Sequence, residues 1–129
     1  IAENLMINKA RKASYISLTD PKTSPSDLTY PFDVVLLGMG LDGHTASIFP
    51  EDKCSSKALN NNDAYIYYTK APAYPVNRIT CSKELLCKSG QILLLITGQE
   101  KLDVLKSNKN LPIHKFIMTR PDINIYWCE

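Results

Sequence analysis

The fold class of this chain is decided by Phe32-Asp33-Val34-Val35-Leu36-Leu37-Gly38-Met39-Gly40-Leu41-Asp42-Gly43-His44-Thr45-Ala46-Ser47. The apolar run at its start predicts a strand buried on both faces, which is typical of a parallel sheet. The three glycines that follow allow a tight turn and a close approach of the backbone to a ligand. Because open α/β sheets bind ligands beyond the carboxyl ends of their strands, we expect a functional site here.

Strands and helices are predicted to alternate along the rest of the chain. Strands are expected over residues 33–37, 64–69, 91–97 and 123–127, and the third is predicted to be fully buried like the first. Helices are expected over residues 1–15, 44–49 and 99–107 and after a candidate N-cap at Ser82, with a polar surface loop over residues 51–63. This order predicts an α/β fold of Rossmann-like type, with a mainly parallel sheet flanked by helices.

The composition is that of a globular domain and indicates no macromolecular partner. The chain has 129 residues, of which 44% are hydrophobic and 22% charged, so it is one domain or a piece of one. A formal net charge of +2 is too small to indicate a nucleic-acid or membrane partner. No apolar run reaches the length of a membrane span, and no signal peptide is visible. Because the first residue is Ile1 rather than Met, we expect a fragment or a processed chain.

The cysteines do not indicate a metal site. Cys54, Cys81, Cys87 and Cys128 contain no Cys-x-x-Cys pair, and the interval between the middle two fits no zinc pattern. We expect four reduced, structural thiols in a reducing compartment, which favours a cytoplasmic location. A disulfide in a secreted domain is the alternative.

His44 is the strongest candidate for a catalytic residue. At the start of a helix, the positive end of the helix dipole would oppose its protonation. A neutral imidazole can accept a proton from water. Asp42 stands two residues upstream and could orient the ring, as carboxylates do in other acid–base pairs. The alternative is a loop histidine that only caps or packs, and the surrounding glycines favour the catalytic interpretation.

Arg78 and Lys101 are candidate ligands for an anion. Arg78 follows a proline-rich turn, and Lys101 lies in the first turn of the helix predicted after Gly98. The helix dipole does not favour a cation in that turn, so a bound anion would explain Lys101. Taken singly, each is better explained as a solvated surface charge. His114 and Lys115 are also expected to lie on the surface.

The glycine spacing also fits a dinucleotide-binding fingerprint. Gly38-x-Gly40-x-x-Gly43 follows a strand and precedes a helix in the predicted order. That function needs an acidic residue at the end of the next strand, about 20 residues further on. Asp63 has this spacing but comes before the strand, whose far end holds no acid. Nucleotide binding is therefore the weaker interpretation.

The glycine turn and its surroundings resemble the 6-phosphogluconolactonase family. Residues 37–50, Leu-Gly-Met-Gly-Leu-Asp-Gly-His-Thr-Ala-Ser-Ile-Phe-Pro, look like the signature of that family. Residues 71–80 resemble its proline-rich segment ending in Arg-Ile-Thr, and residues 98–101 resemble its Gly-x-x-Lys helix start. The closing strand near Trp127 also fits, so the resemblance covers nearly the whole chain. Glucosamine-6-phosphate deaminases of the same superfamily have an Asn-Glu pair before the proline, which this chain lacks.

The resemblance implies hydrolysis of 6-phospho-D-glucono-1,5-lactone to 6-phosphogluconate without a metal or an organic cofactor. It implies that His44 is the general base that activates water and that Asp42 holds its ring. Backbone N–H groups around Gly40 and Gly43 would meet the developing oxyanion. Part of the substrate phosphate would be bound by two cations, Arg78 and Lys101.

One large difference from the family concerns length. Family members are roughly twice as long, and their N-terminal half carries a Ser-Gly-Gly-Ser-like phosphate loop that is missing here. Residues 1–129 are therefore expected to be the C-terminal portion of a lactonase-like domain. Some relatives are fused to glucose-6-phosphate dehydrogenase, so a larger polypeptide is expected as one possible source. Two other function classes stay open: another sugar-phosphate enzyme such as a deaminase, and an inactive fragment or interaction module.

Overall fold

The computed structural model describes residues 7, 10–63, 65–107 and 110–129. A short 3-10 turn at Pro25–Asp27 precedes the first strand. The strands are β1 (Val34–Gly38), β2 (Ile66–Lys70), β3 (Asn77–Cys81), β4 (Gln91–Thr97) and β5 (Asn124–Cys128). The helices are α1 (Lys53–Asn60), α2 (Lys83–Cys87), α3 (Gln99–Lys106) and α4 (Pro112–Thr119). In this part of the chain, no helix has the length and apolar character needed to span a bilayer.

The strands form one parallel sheet and one small antiparallel ribbon. β1, β4 and β5 pair in that order and run parallel. The β2–β3 ribbon and α2 lie in the crossover from β1 to β4, and α3 and α4 lie in the crossover from β4 to β5. The predicted α/β class with a mainly parallel sheet is confirmed, and the ribbon is an antiparallel addition to it.

The core lies against one face of the parallel sheet, and alternate residues of β1 and β4 point into it. Ile113 and Phe116 of α4 are fully buried in this core. Leu85 and Leu86 of α2 join it, and Ser82 caps that helix by accepting the Leu85 N–H at 3.2 Å, as predicted. Burial of a large apolar side chain contributes about 1.5–3 kcal/mol, so this face supplies the main stabilisation of the described fold.

The opposite face of the sheet is open, which corrects the prediction that β1 and β4 are buried on both faces. Val34 is 53% exposed and Leu36 is 62% exposed, and Leu95 of β4 is exposed as well. An apolar run is buried on both faces only where layers of structure cover both. The described residues leave this second face largely uncovered.

The helix predicted over residues 44–49 is wrong, and the loop predicted over residues 51–63 is wrong where α1 lies, at Lys53–Asn60. Residues 44–49 form a turn, in which Ala46 has a φ of 51° that a right-handed helix does not allow. The helix α1 begins later, where Asp52 accepts the Ser55 N–H as its N-cap. Only Ser55 and Ala58 of α1 are buried, and so small an apolar face in a polar segment gives little helical signal.

The surface position predicted for His114 is also wrong. The residue lies in α4 and is half-buried, as is Lys115 beside it. His114 Nδ1 accepts the Leu111 N–H at 3.3 Å, and Nε2 donates to the Leu105 carbonyl at 3.0 Å. The helix predicted over residues 1–15 falls largely outside the described residues, and residues 10–15 contain no α-helix.

Candidate active site

A loop of residues 38–49 follows β1 and is closed by its own hydrogen bonds. Thr45 Oγ1 donates to the Gly38 carbonyl at 2.8 Å, and the Gly40 N–H donates to the His44 carbonyl at 3.0 Å. The Gly43 N–H donates to the Gly40 carbonyl at 3.0 Å. Gly43 has a φ of 75°, a region that glycine adopts without strain. These bonds hold the loop at the carboxyl end of β1, where the sequence predicts the site.

Asp42 and His44 form a close pair within this loop. His44 Nδ1 lies 2.6 Å from Asp42 Oδ1, and the His44 backbone N–H donates to the same oxygen at 3.1 Å. An ionised carboxylate only accepts hydrogen bonds, so the Nδ1 proton points toward it and Nε2 is the nitrogen left to accept a proton. Both side chains are about one-third exposed, which leaves them open to water.

A helix dipole does not act on His44, because no helix begins there. The Asp42 carboxylate sets the tautomer instead, and Phe49 packs against the imidazole with ring centroids 4.7 Å apart. The Phe49 N–H donates to Ser55 Oγ of α1 at 2.9 Å, so α1 fixes the position of this supporting ring. Burial alone would raise the pKa of the helix cap Asp52, but hydrogen bonds, led by those from Ser55, hold that pKa below its ordinary value.

Gly40 and Gly43 give the loop its shape. A Cβ at position 40 would lie 2.3 Å from His44 Cε1 and Nδ1 and 2.6 Å from Asp42 Oδ1, so the imidazole lies directly against the Gly40 backbone. A Cβ at position 43 would lie 2.6 Å from Leu111 Cδ1. The N–H groups of both glycines are already donated to carbonyls within the loop. The N–H groups of the two glycines themselves are therefore not free to meet an oxyanion, and the geometry gives these two residues a steric role. The role predicted for the other N–H groups around them stays a prediction.

A cavity of about 350 Å³ brings the Asp42–His44 pair together with Arg78. Arg78 lies on β3, directly opposite Thr69 of β2, and is half-buried. The loop and the proline-rich segment around Pro72 form the other walls. A guanidinium beside an imidazole that can accept a proton suits an anionic substrate that is to be attacked by water.

Lys101 lines a second cavity, of about 580 Å³, together with part of the loop. Lys101 lies in the first turn of α3, as predicted, and Gly98 precedes that helix with a φ of 84°. The two cavities share His44, Ala46 and Ser47 in their walls. Each predicted cation thus lines a cavity that His44 also lines, but the two cations lie in different cavities.

Two buried threonines support the same loop; Thr80 ends the family-like segment 71–80, whereas the sequence does not point to Thr69. Thr69 Oγ1 donates to the Ser47 carbonyl at 2.7 Å, and Thr80 Oγ1 accepts the Ser47 N–H at 3.3 Å. These contacts join residues 22 and 33 positions apart, so no local spacing marks them. For Phe49, which packs on His44, the position within the family-like segment 37–50 is a weak indication of a role in the site.

The cysteines divide into two classes. All four are free thiols, with Cys81 and Cys87 buried and Cys54 and Cys128 exposed. Burial raises the pKa of the Cys81 and Cys87 thiols, which keeps both protonated and unreactive. The prediction of a structural role is supported by burial for Cys81 and Cys87 and stays a prediction for Cys54 and Cys128. Across residues 7, 10–63, 65–107 and 110–129, no three His, Cys, Asp or Glu side chains form a group that could hold a metal ion.

Comparison with known proteins identifies the family. The family model described as glucosamine-6-phosphate isomerases/6-phosphogluconolactonase matches residues 8–122. The chain belongs to this family. The 6-phosphogluconolactonase of Pseudomonas aeruginosa is 30% identical over 145 residues, an alignment that covers 98% of this chain and 60% of that protein. A crystal structure of a 6-phosphogluconolactonase from Shewanella baltica superposes with a TM-score of 0.83 at 30% identity, covering 99% of this chain and 62% of that one.

The relatives confirm the fold and show how the family's proteins differ in length. The superposition confirms the predicted Rossmann-like α/β architecture for this family member. The chain spans about 60% of the length of the Pseudomonas and Shewanella proteins. A rabbit (Oryctolagus cuniculus) GDH/6PGL endoplasmic bifunctional protein is 37% identical over 73 residues, which cover 57% of this chain and 9% of that protein. A related segment thus also occurs as a small part of a much longer polypeptide.

Proposed function

We propose that this family member hydrolyses 6-phospho-D-glucono-1,5-lactone to 6-phospho-D-gluconate. The observation that carries the proposal is the cavity that holds the Asp42–His44 pair together with Arg78. An imidazole oriented by a carboxylate suits a general base for water, and a guanidinium suits a sugar phosphate. The names of the Pseudomonas and Shewanella relatives support this choice of substrate.

In the proposed reaction, His44 Nε2 takes a proton from water while the water oxygen attacks the lactone carbonyl carbon. The resulting tetrahedral intermediate collapses, which breaks the bond between that carbon and the ring oxygen. His44 then returns the proton to the ring oxygen, which becomes a hydroxyl of the open-chain acid. Asp42 keeps the Nδ1 proton in place and stabilises the imidazolium between the two transfers. The lactone and one water molecule supply every atom of the product.

Arg78 and Lys101 are proposed to bind the phosphate of the substrate. The two cavities meet at Ala46 and Ser47, so a phosphate over this shared wall would face both cations. Guanidinium binds phosphate through paired hydrogen bonds, whereas ammonium acts as a point charge. Together the two groups would anchor the end of the substrate that does not react.

We also propose that residues 1–129 act as the C-terminal portion of a larger lactonase domain. The 60% coverage of relatives supports this, as does the open sheet face with Val34, Leu36 and Leu95, because parallel sheets are usually covered on both faces. The rabbit relative supports fusion to glucose-6-phosphate dehydrogenase as one arrangement of that larger protein. A cytoplasmic location belongs to the same proposal, supported by the four free thiols. Sequencing the complete reading frame and fractionating the source cells test these points.

The decisive experiment is a lactonase assay on the product of the complete reading frame, with the His44→Ala variant beside it. Lactone hydrolysis is measured above the spontaneous rate, and ammonia release from glucosamine 6-phosphate is measured in parallel. Because a general base contributes about 10²–10⁴-fold, we expect His44→Ala to lower kcat by that factor with an unchanged circular dichroism spectrum. A variant within roughly threefold of the parent removes His44 from the mechanism. Ammonia release without lactone hydrolysis indicates a deaminase, and neither activity indicates a binding module.

A further inference from the structure

Ser47 is the point at which the catalytic loop is attached to the β2–β3 ribbon. Its carbonyl accepts Thr69 Oγ1 at 2.7 Å, and its N–H donates to Thr80 Oγ1 at 3.3 Å. One residue of the loop is thus held through both of its main-chain groups, by one threonine from each strand. Ser47 lies three residues after His44 and lines the same cavity.

The two threonine side chains are themselves closed to solvent. Thr69 is 3% exposed and Thr80 is 2% exposed. Loss of a hydroxyl here leaves a main-chain group of the half-buried Ser47 without its protein partner and so loosens the attachment of the loop. Thr80 Oγ1 also donates to the Cys81 carbonyl at 3.1 Å, so this hydroxyl has both a donor and an acceptor role.

The pairing of β2 with β3 places Arg78 beside the threonines that bind Ser47. Thr69 pairs with Arg78 across the two antiparallel strands, and Tyr67 pairs with Thr80. Residues directly opposite in an antiparallel pair share a face, so Thr69 and Arg78 lie on the face that meets the loop. The strand pair that carries the anion-binding guanidinium therefore also holds the loop that carries the imidazole.

We propose that Thr69 and Thr80 are positioning residues that set the placement of His44 relative to Arg78. The catalytic consequence rests on the lactonase function proposed above. A substrate whose phosphate is anchored at Arg78 presents its carbonyl to His44 at a distance that the ribbon fixes. Misplacement of about 1 Å costs roughly a hundredfold in rate. A lactone without a phosphate is not anchored at Arg78, and its reaction depends less on this distance.

The test compares Thr69→Val and Thr80→Val, which remove a hydroxyl at nearly constant volume, with the corresponding serine variants, which keep it. Thr119→Val is the matched control, because its hydroxyl is exposed at the end of α4 and contacts only Lys83 and the Lys115 carbonyl. We expect each valine variant to lower kcat/KM for the phosphorylated lactone by roughly ten- to a hundredfold, and for unphosphorylated gluconolactone by less than about threefold. The serine variants and the control should keep the parent's preference for the phosphorylated substrate.

A parallel loss of activity on both lactones would show that the whole site has loosened and would overturn the positioning role. An unchanged preference for the phosphorylated lactone in both valine variants would overturn it as well. If a valine variant does not fold, the comparison of serine with alanine at the same position isolates the hydroxyl instead. Amide exchange of Ser47 and the ring resonances of His44 provide a readout that needs no lactonase activity. We expect Thr80→Val to accelerate Ser47 exchange by more than about tenfold and to shift the His44 signals. If the parent protein hydrolyses neither lactone, the proposed function fails, and an unchanged Ser47 exchange and His44 spectrum would separately refute the attachment.

Discussion

Substitution of Gly40 by alanine should displace the imidazole of His44 while leaving the loop backbone in place. The new Cβ would lie 2.3 Å from His44 Cε1 and Nδ1, whereas ordinary contacts begin at 3.4 Å. The backbone of residue 40 is not in the left-handed region, so alanine meets no strain there. The ring must therefore move by about 1 Å, and a displacement of this size corresponds to a loss of roughly a hundredfold in kcat.

The other two glycines of the motif provide matched controls. A Cβ at Gly38 would have as its nearest neighbour the Leu95 carbonyl oxygen at 4.0 Å, so Gly38→Ala should keep full activity. A Cβ at Gly43 would be strained at a φ of 75° and would lie 2.6 Å from Leu111 Cδ1. Gly43→Ala should therefore lower the free energy of unfolding by about 1 kcal/mol or more. It should also lower activity. Three glycines in six residues are thus expected to respond in three different ways.

The assay is lactone hydrolysis corrected for the spontaneous rate, combined with urea unfolding of each variant. Gly40→Ala should lose activity at an unchanged unfolding midpoint and should shift the ring resonances of His44. Full activity of Gly40→Ala with unshifted resonances would contradict this prediction, because the added methyl group would then fit without moving the ring. A large loss in Gly38→Ala would be equally damaging, since that position has open space.

Three further outcomes follow from the described contacts. Arg78→Ala and Lys101→Ala should each raise KM for the phosphorylated lactone by about one to two decades, since a charged hydrogen bond contributes about 1.5–3 kcal/mol, and should leave KM for the unphosphorylated lactone unchanged. Ser55→Ala removes the acceptor of the buried Phe49 N–H and should lower the free energy of unfolding in urea by about 1–3 kcal/mol. The Arg120 guanidinium, through paired hydrogen bonds, lowers the pKa of Asp122 from 3.8 to about 2. The contribution of this pair to stability should therefore be complete above about pH 4 and decline as the pH falls toward 2, and Asp122→Asn should flatten that decline in unfolding measured against pH.

The sequence predicts elements well where a local pattern also determines packing. The strand over residues 91–97 and the cap at Ser82 both appear as predicted, because apolar runs and capping side chains act over a few neighbouring residues. It fails for α1, which is capped by Asp52 and buries only Ser55 and Ala58 in an otherwise polar segment. It also fails for the open sheet face, because the covering of a strand depends on layers that are distant in sequence.

In the candidate site, too, the sequence identifies important residues but does not predict how they are placed. His44, Asp42 and Arg78 stand out in the sequence, but the turn that brings them together contains Ala46 at a φ of 51°, a region that costs about 1–3 kcal/mol for a residue other than glycine. Such a conformation persists only where the surroundings determine it from several sides. Here the next residue, Ser47, is held through both main-chain groups by strands 22 and 33 residues away. The local helix prediction over residues 44–49 fails because the loop is held by its own hydrogen bonds and, at Ser47, by the ribbon that carries Arg78.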